Sequence, residues 1–283
     1  MDLTVIKASG EHEAFEEGKL RQSLHKAGAT PELIVQILEE VAGQFDGVVS
    51  TRKIYRLAFN LLKAHSRQLA GKYHLKRAIM ELGPSGYPFE RYVGEILKAQ
   101  GYQTQVGVIV QGKCVMHEVD VIAEKDDHHF MIECKFHNHS GTKSDVKVPL
   151  YIRSRFEDVR KQWIHLPGHK AKFHQGWVVT NTKFTKDAVD YGKCSGMRLI
   201  GWDYPANGSL NERINLSGLH PLTCLISLTK KEKTRLLNES IVLCKEICER
   251  PEVLSVLDLT SRRTKEILQE AHGICMELNS KDQ

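Results

Sequence analysis

His117-Glu-Val-Asp-Val-Ile-Ala-Glu124, followed by Phe130-Met-Ile-Glu-Cys-Lys-Phe136, reads as two runs with the period of a β-strand. The polar segment Lys125 to His128 between them suits a turn. With Asp126-Asp127 as a two-residue loop, Val119, Val121 and Ala123 face Cys134, Ile132 and Phe130, giving one fully apolar face. The other face then sets Asp120 opposite Glu133, with Lys135 two residues along on the same side. The hydrophobic pattern fixes this register, because a slip of one residue would turn every apolar side chain to the wrong face. Facing Cβ atoms in such pairs lie about 4.5–5.5 Å apart, and like charges there are destabilising. Two facing carboxylates therefore ask for a cation. Hard carboxylate oxygens suit Mg²⁺ or Mn²⁺, and a lysine beside the ion can orient or deprotonate an attacking water. The residues alone leave a plainer alternative open: solvent-facing carboxylates, with Glu118 and Lys135 as a cross-strand ion pair.

The flanking sequence decides the fold class. Upstream, Phe89, Val93, Ile96 and Leu97 have helical spacing, and the pattern ends at Gly101. Downstream, Gly176 to Asn181 reads as a strand, Phe184 to Tyr191 as a helix and Met197 to Trp202 as a further strand. This order predicts an α/β core, a mixed central sheet flanked by helices.

Over Tyr87 to Pro205 the chain resembles the Mrr-like branch of the PD-(D/E)xK restriction endonucleases. The resemblance implies metal ligation by Asp120 and Glu133, with the Cys134 carbonyl as a third ligand, and assigns Lys135 as the catalytic lysine. Glu90, on the first helix, matches the acidic residue that members often set beside the metal. Glu133 stands where many Mrr-like proteins have Gln.

Between Lys135 and Lys172 there are nine Lys or Arg and three acidic residues. Val148, Ile152, Phe156, Val159 and Trp163 form one buried helical stripe in this segment. Arg153, Arg155, Arg160 and Lys161 fall off it, and are candidates to face the phosphates of double-stranded DNA.

The N-terminal part reads as a β-hairpin (Val5 to Gly10, then Glu13 to Phe15) followed by helices opening at Lys19, at Pro31 with Thr30 as cap, at Ile54 and at Tyr73. Val5, Lys7, Gly10, Glu13, Phe15, Lys19 and Leu20 fit the pattern V-x-K-x-x-G-x-x-E-x-F-x-x-x-K-L, and here the chain resembles the ATP-cone, a nucleotide-sensing domain. The resemblance implies ATP or dATP as effector. Lys7 and Lys19 would contact its phosphates, while Val5, Ile6, Glu13, Leu20, Ile54 and Tyr55 would line the nucleoside pocket. The chain departs from the family at Ala8, where many cones have arginine, at Glu16, and at Tyr55, which replaces a frequent histidine.

The 283 residues carry a net charge of +5, and divide as an ATP-cone over 1–85, a nuclease domain over 86–205 and a linker with a helical domain over 206–283. Within the last, the segments around Thr229 and Ser261 resemble helix-hairpin-helix DNA-binding units but lack their glycine-rich hairpin, so a packing or dimerisation role stays open. Seven cysteines without a C-x-x-C pair suggest reduced thiols. No signal peptide or membrane-length apolar run is legible. The sequence thus predicts a cytoplasmic, homo-oligomeric, nucleotide-regulated DNA endonuclease in restriction or genome defence. A nucleotide-sensing DNA-binding regulator on a nuclease-like scaffold is the alternative.

Overall fold

The computed structural model describes residues 3–7, 10–168 and 172–275; Ala8 lies outside them. They form two compact units. One holds residues up to Ala78 together with those from His220 onward, and the other spans Ile79–Leu219.

The first unit begins with a small mixed sheet. Strand β1 (Thr4–Ile6) pairs antiparallel with β2 (His12–Ala14). Helices α1 (Glu17–Lys26) and α2 (Pro31–Gln44) follow. The start of α2 is as its sequence dictates: the Thr30 hydroxyl accepts from the Leu33 amide at 3.4 Å, and Pro31 occupies the first turn, where no intrahelical donor is needed. Strand β3 (Val48–Ser50), which the sequence reading does not assign, then lies parallel to β1. Helix α3 spans Thr51–His65, and the chain continues as α4 (Arg67–Tyr73) and α5 (Leu75–Met80). The helix expected to open at Tyr73 is α5, starting at Leu75, and it is preceded by the unassigned α4, capped by the Ser66 hydroxyl on the Leu69 amide. Val5, Leu20, Leu24, Ile37, Val41, Ile54 and Leu62 belong to one core between sheet and helices.

The second unit carries the site. It opens with α6 (Tyr87–Ala99), whose residues Phe89, Val93, Ile96 and Leu97 are all buried as their spacing requires. Strands β4 (Gln103–Gln111), β5 (Met116–Lys125) and β6 (His128–Lys135) form an antiparallel meander. A short strand β7 (Lys143–Ser144) leads into α7 (Lys147–Trp163). The chain returns as β8 (Phe173–Thr180), β9 (Lys183–Phe184), α8 (Lys186–Cys194) and β10 (Arg198–Ile200). The order β10-β8-β6-β5-β4, with β6, β8 and β10 parallel, makes the mixed sheet that the element order predicts. On α7, Ile152, Phe156, Val159 and Trp163 are buried, so the expected stripe is the face laid on the sheet. Phe156 sits on Gly176 of β8, where a Cβ would lie 3.1 Å from the ring, so a larger residue there would press the ring back.

Helix α9 (Leu210–Ser217) closes this unit, and the buried Tyr92 hydroxyl donates to the Leu219 carbonyl at 2.6 Å. The remaining chain returns to the first unit with α10 (Lys230–Asn238), α11 (Cys244–Glu249) and α12 (Ser261–Cys275). Thr229 and Glu232 form a reciprocal capping box on α10. Residues 206–219 lie in the unit with the central sheet, and those from His220 in the unit with the N-terminal segment. Among the described residues, no helix is long and apolar enough to cross a membrane.

Candidate active site

The hairpin has the register that its apolar face demands. Val121 pairs with Ile132, Ala123 with Phe130 and Lys125 with His128, leaving Asp126-Asp127 as the turn. Val119, Val121, Ala123, Phe130, Ile132 and Cys134 are all buried. The ladder stops at Val121, one residue short of Asp120. On the other side of β5, pairs with β4 run from Gln103 to Val106 and resume at Val108 opposite Val119, skipping Gly107. Gly107 has φ +65°, the left-handed region that glycine enters without a Cβ penalty. Strand β5 therefore parts from both neighbours at one residue, Asp120.

Its side chain replaces the lost pairing. Asp120 Oδ2 accepts the Cys134 amide at 2.7 Å, so the carboxylate is held against the strand that carries Glu133 and Lys135. Those residues are fixed from the far side by parallel pairing of Glu133 with Val178 and Lys135 with Thr180, and the Thr180 hydroxyl donates to the Lys135 carbonyl at 2.8 Å. The Lys135 side chain is exposed.

Glu90 comes in from the first turn of α6. Its carboxyl is pushed up to about 7, by burial first and then by the negative charges of Asp120, Glu118 and Glu133. Burial likewise raises Asp120 and Glu133, while Arg155 and Lys135 pull both back. The four residues Glu90, Asp120, Glu133 and Lys135 thus act on one another as one electrostatic cluster. A carboxyl whose folded pKa is raised stabilises the fold while protonated and loses that contribution as pH rises through the folded value. Thermal melts of metal-free wild type against Glu90→Gln should therefore diverge as pH climbs from about 4.5 to about 7, with the variant gaining. Parallel melting curves over that window would separate Glu90 from the acidic cluster.

The basic helix is placed otherwise than its sequence suggests. Arg155 turns into the site: Nη1 donates to Glu133 Oε2 at 2.7 Å and Nη2 to the Glu118 carbonyl. Arg153 donates to the Ser195 carbonyl at 3.0 Å and pairs with Glu157 at 2.6 Å, and Arg160 pairs with the same Glu157 at 3.0 Å. Three of the four expected phosphate-facing cations are thus engaged within the chain, and Lys161 is exposed. The sequence reading also misses a clamp behind Lys135. Asn181 accepts from the His137 amide at 2.9 Å and donates to its carbonyl at 2.8 Å, while the His137 ring lies 2.9 Å from the Ser144 hydroxyl. Nothing in the local pattern links Asn181 to a loop so distant in the chain.

Among the described residues, no three His, Cys, Asp or Glu side chains are placed as a group to hold a metal ion. What the cluster offers is two carboxylates and the Cys134 carbonyl, a hard oxygen donor set whose chemistry fits Mg²⁺ or Mn²⁺. One oxygen of Glu133 is taken by Arg155.

In the first unit, Val5, Leu20 and Ile54 are core residues, and Ile6 is half-buried. Lys7 pairs with Glu13 across the β1–β2 hairpin and with Glu11 at 3.7 Å, and Lys19 pairs with Glu16 at 2.6 Å. The Tyr55 hydroxyl lies 2.7 Å from His74, its ring stacks on Tyr73, and the Arg77 guanidinium covers it at 3.8 Å.

Comparison with known proteins matches two segments of the chain. A family model for restriction endonuclease matches residues 83–204, and one described as AF1548-like, C-terminal, matches 220–275. An uncharacterized protein of Archaeoglobus fulgidus is 34% identical over 183 residues, which is 64% of this chain and 99% of the relative. The chain belongs to the AF1548-like family. The solved structure of a protein of unknown function, AF1548, is 34% identical and covers 68% of this chain and 100% of its own, with a TM-score of 0.57. The restriction-endonuclease segment of this AF1548-like chain contains Glu90, Asp120, Glu133 and Lys135, and its mixed sheet between helices is consistent with a restriction-endonuclease-like core. Neither matched segment includes the N-terminal hairpin and helices α1 to α4.

Proposed function

We propose that this AF1548-like protein is a divalent-metal-dependent DNA endonuclease acting in restriction or genome defence, with an adenine nucleotide as its effector. The observation that carries the reading is the parting of β5 from its neighbours at Asp120, which brings that carboxylate to the strand end bearing Glu133 and Lys135. Asp120, Glu133 and the Cys134 carbonyl would hold Mg²⁺ or Mn²⁺, and a cation there supplies neutralisation of the charge that develops on a phosphodiester. Lys135, exposed beside them, orients the attacking water and stabilises the negative transition state. Glu90, poised near neutrality, takes up a proton at the same place. Lys161, with Arg153 and Arg160 where phosphate displaces Glu157, provides a sequence-independent attraction for duplex DNA.

The test is direct. Supercoiled plasmid incubated with the protein and Mg²⁺ or Mn²⁺ should be nicked or linearised, and chelation should stop it. A second reading, a nuclease-like scaffold without turnover, is favoured by the Arg155 contact on Glu133. Intact plasmid under both metals would select it.

The nucleotide belongs to the N-terminal hairpin and helices. Lys7 there sits in a half-exposed ion pair and Lys19 in an exposed one, the kind that is worth little and exchanges readily for a phosphate. ATP or dATP on these cations would act by changing the assembly of a homo-oligomer. Size-exclusion profiles should shift with ATP or dATP, and identical profiles with and without nucleotide would remove this part of the reading.

A further inference from the structure

We propose that Arg155 is a positioning residue that stands in for the metal on Glu133, so that guanidinium and divalent cation compete for this carboxylate; the inference rests on the metal-dependent reading above. The geometry is that of a held group rather than a surface arginine. Arg155 precedes Phe156, which is buried against Gly176, so the packing of α7 on the sheet fixes where its side chain starts. Its side chain is only 14% exposed. The two guanidinium nitrogens reach two different strands, Nη1 donating to Glu133 of β6 at 2.7 Å and Nη2 to the Glu118 carbonyl of β5. A planar fork with two fixed donors suits this bridge, and a lysine cannot span it.

The guanidinium occupies one oxygen of a carboxylate that a metal on Asp120 and Glu133 would need. Arg155 bonds Glu133 directly, and its charge is felt by Asp120 as well. A buried carboxylate pair of like charge is costly without a cation, and Arg155 supplies that charge to the protein alone. A divalent ion entering the same place meets a positive group already bonded to one of its ligands. It must displace the guanidinium from Glu133 or accept a weaker donor set. Arg155 thereby lowers the affinity for free metal while keeping Glu133 aimed at the site. The displaced guanidinium, beside the scissile position, is then free to pair with a phosphate oxygen.

Mn²⁺ binding to the full chain, followed by loss of the free-ion electron paramagnetic resonance signal, tests this without any turnover. Arg155→Gln should bind Mn²⁺ about tenfold or more tightly than wild type, since it removes a unit positive charge bonded to one of the ligands. In cleavage, the same variant should need less Mn²⁺ for half-maximal rate but reach a lower rate at saturation, because the displaced guanidinium that would pair with the phosphate is gone. A residue with a merely structural role would weaken binding or leave it alone. Unchanged or weaker Mn²⁺ binding by folded Arg155→Gln overturns the inference. Should that variant not fold, Arg155→Lys keeps the charge but loses the bridge, and must bind Mn²⁺ more tightly than wild type; equal affinity overturns the inference too. If wild type cleaves and the Arg155 variants bind Mn²⁺ as it does, only this inference falls. If neither protein binds Mn²⁺ and wild type does not cleave, the endonuclease reading falls with it.

Discussion

Asp120→Asn is expected to lower metal-dependent plasmid cleavage by about three orders of magnitude, roughly 4 kcal/mol of transition-state stabilisation. The substitution is nearly isosteric, and the amide oxygen can still accept the Cys134 N–H that Asp120 now takes at 2.7 Å. The strand end should therefore keep its shape while the site loses one of its two ligand charges. Removing that charge also relieves Glu90, whose carboxyl is raised in part by Asp120, so the melting temperature at neutral pH should hold or rise. Lys135→Ala is the companion measurement. Its backbone is anchored by Thr180 and its side chain is exposed, so a loss of about 10²–10⁴ in rate would report chemistry rather than folding. Conversion of supercoiled to nicked and linear plasmid with time gives the rates, and a melt of each variant controls for structure. Cleavage by Asp120→Asn at the wild-type rate would remove Asp120 from the site.

What the sequence discloses about this site follows from how local each constraint is. The hairpin register needs only a two-residue turn and six alternating apolar side chains, Val119, Val121 and Ala123 on one strand and Phe130, Ile132 and Cys134 on the other, and all six are buried. The stripe on α7 is equally local, because helical spacing alone sets Ile152, Phe156, Val159 and Trp163 on one face. The parting of β5 at Asp120 is not local. It depends on β4, where Gly107 falls opposite, and the alternation of Thr104, Val106, Val108 and Val110 that marks this strand is in the sequence but is not used by the reading.

The basic residues of α7 show a different gap. Spacing says that they lie off the apolar stripe, but not which of them flank it closely enough to turn inward. Arg155, next to Phe156, reaches Glu133. Glu157, four residues after Arg153 and three before Arg160, is a readable sign that those two arginines pair within the helix. The pairing of the N-terminal segment with residues from His220 onward has no local sign at all. It rests on contacts between residues far apart in the chain, such as the Thr223 hydroxyl on the Ala78 carbonyl at 2.7 Å.

That pairing makes Glu270→Ala the largest expected stability loss in the first unit. Glu270 lies on α12, 2% exposed, and accepts from the Ile226 amide at 2.7 Å and the Ser227 amide at 2.9 Å. A carboxyl group that accepts from two backbone donors at once holds both residues of the turn. Truncation leaves the N–H of buried Ser227 and that of half-buried Ile226 without it, at about 1–3 kcal/mol each, or roughly 2–6 kcal/mol together. Glu270→Gln keeps one acceptor oxygen but turns its NH₂ toward the other donor, so its loss should be intermediate. The order wild type, Gln, Ala in denaturant midpoint is the first reading of the experiment. The second is where the loosening goes. Ile226 packs against the core built from Val5, Leu20 and Ile54, so amide exchange should quicken in α1 to α4 as well as around α12, while β5 and β6 stay protected. Exchange that rises only near residue 226, with an unchanged midpoint for Ala, would mean that Glu270 is not a keystone of this unit.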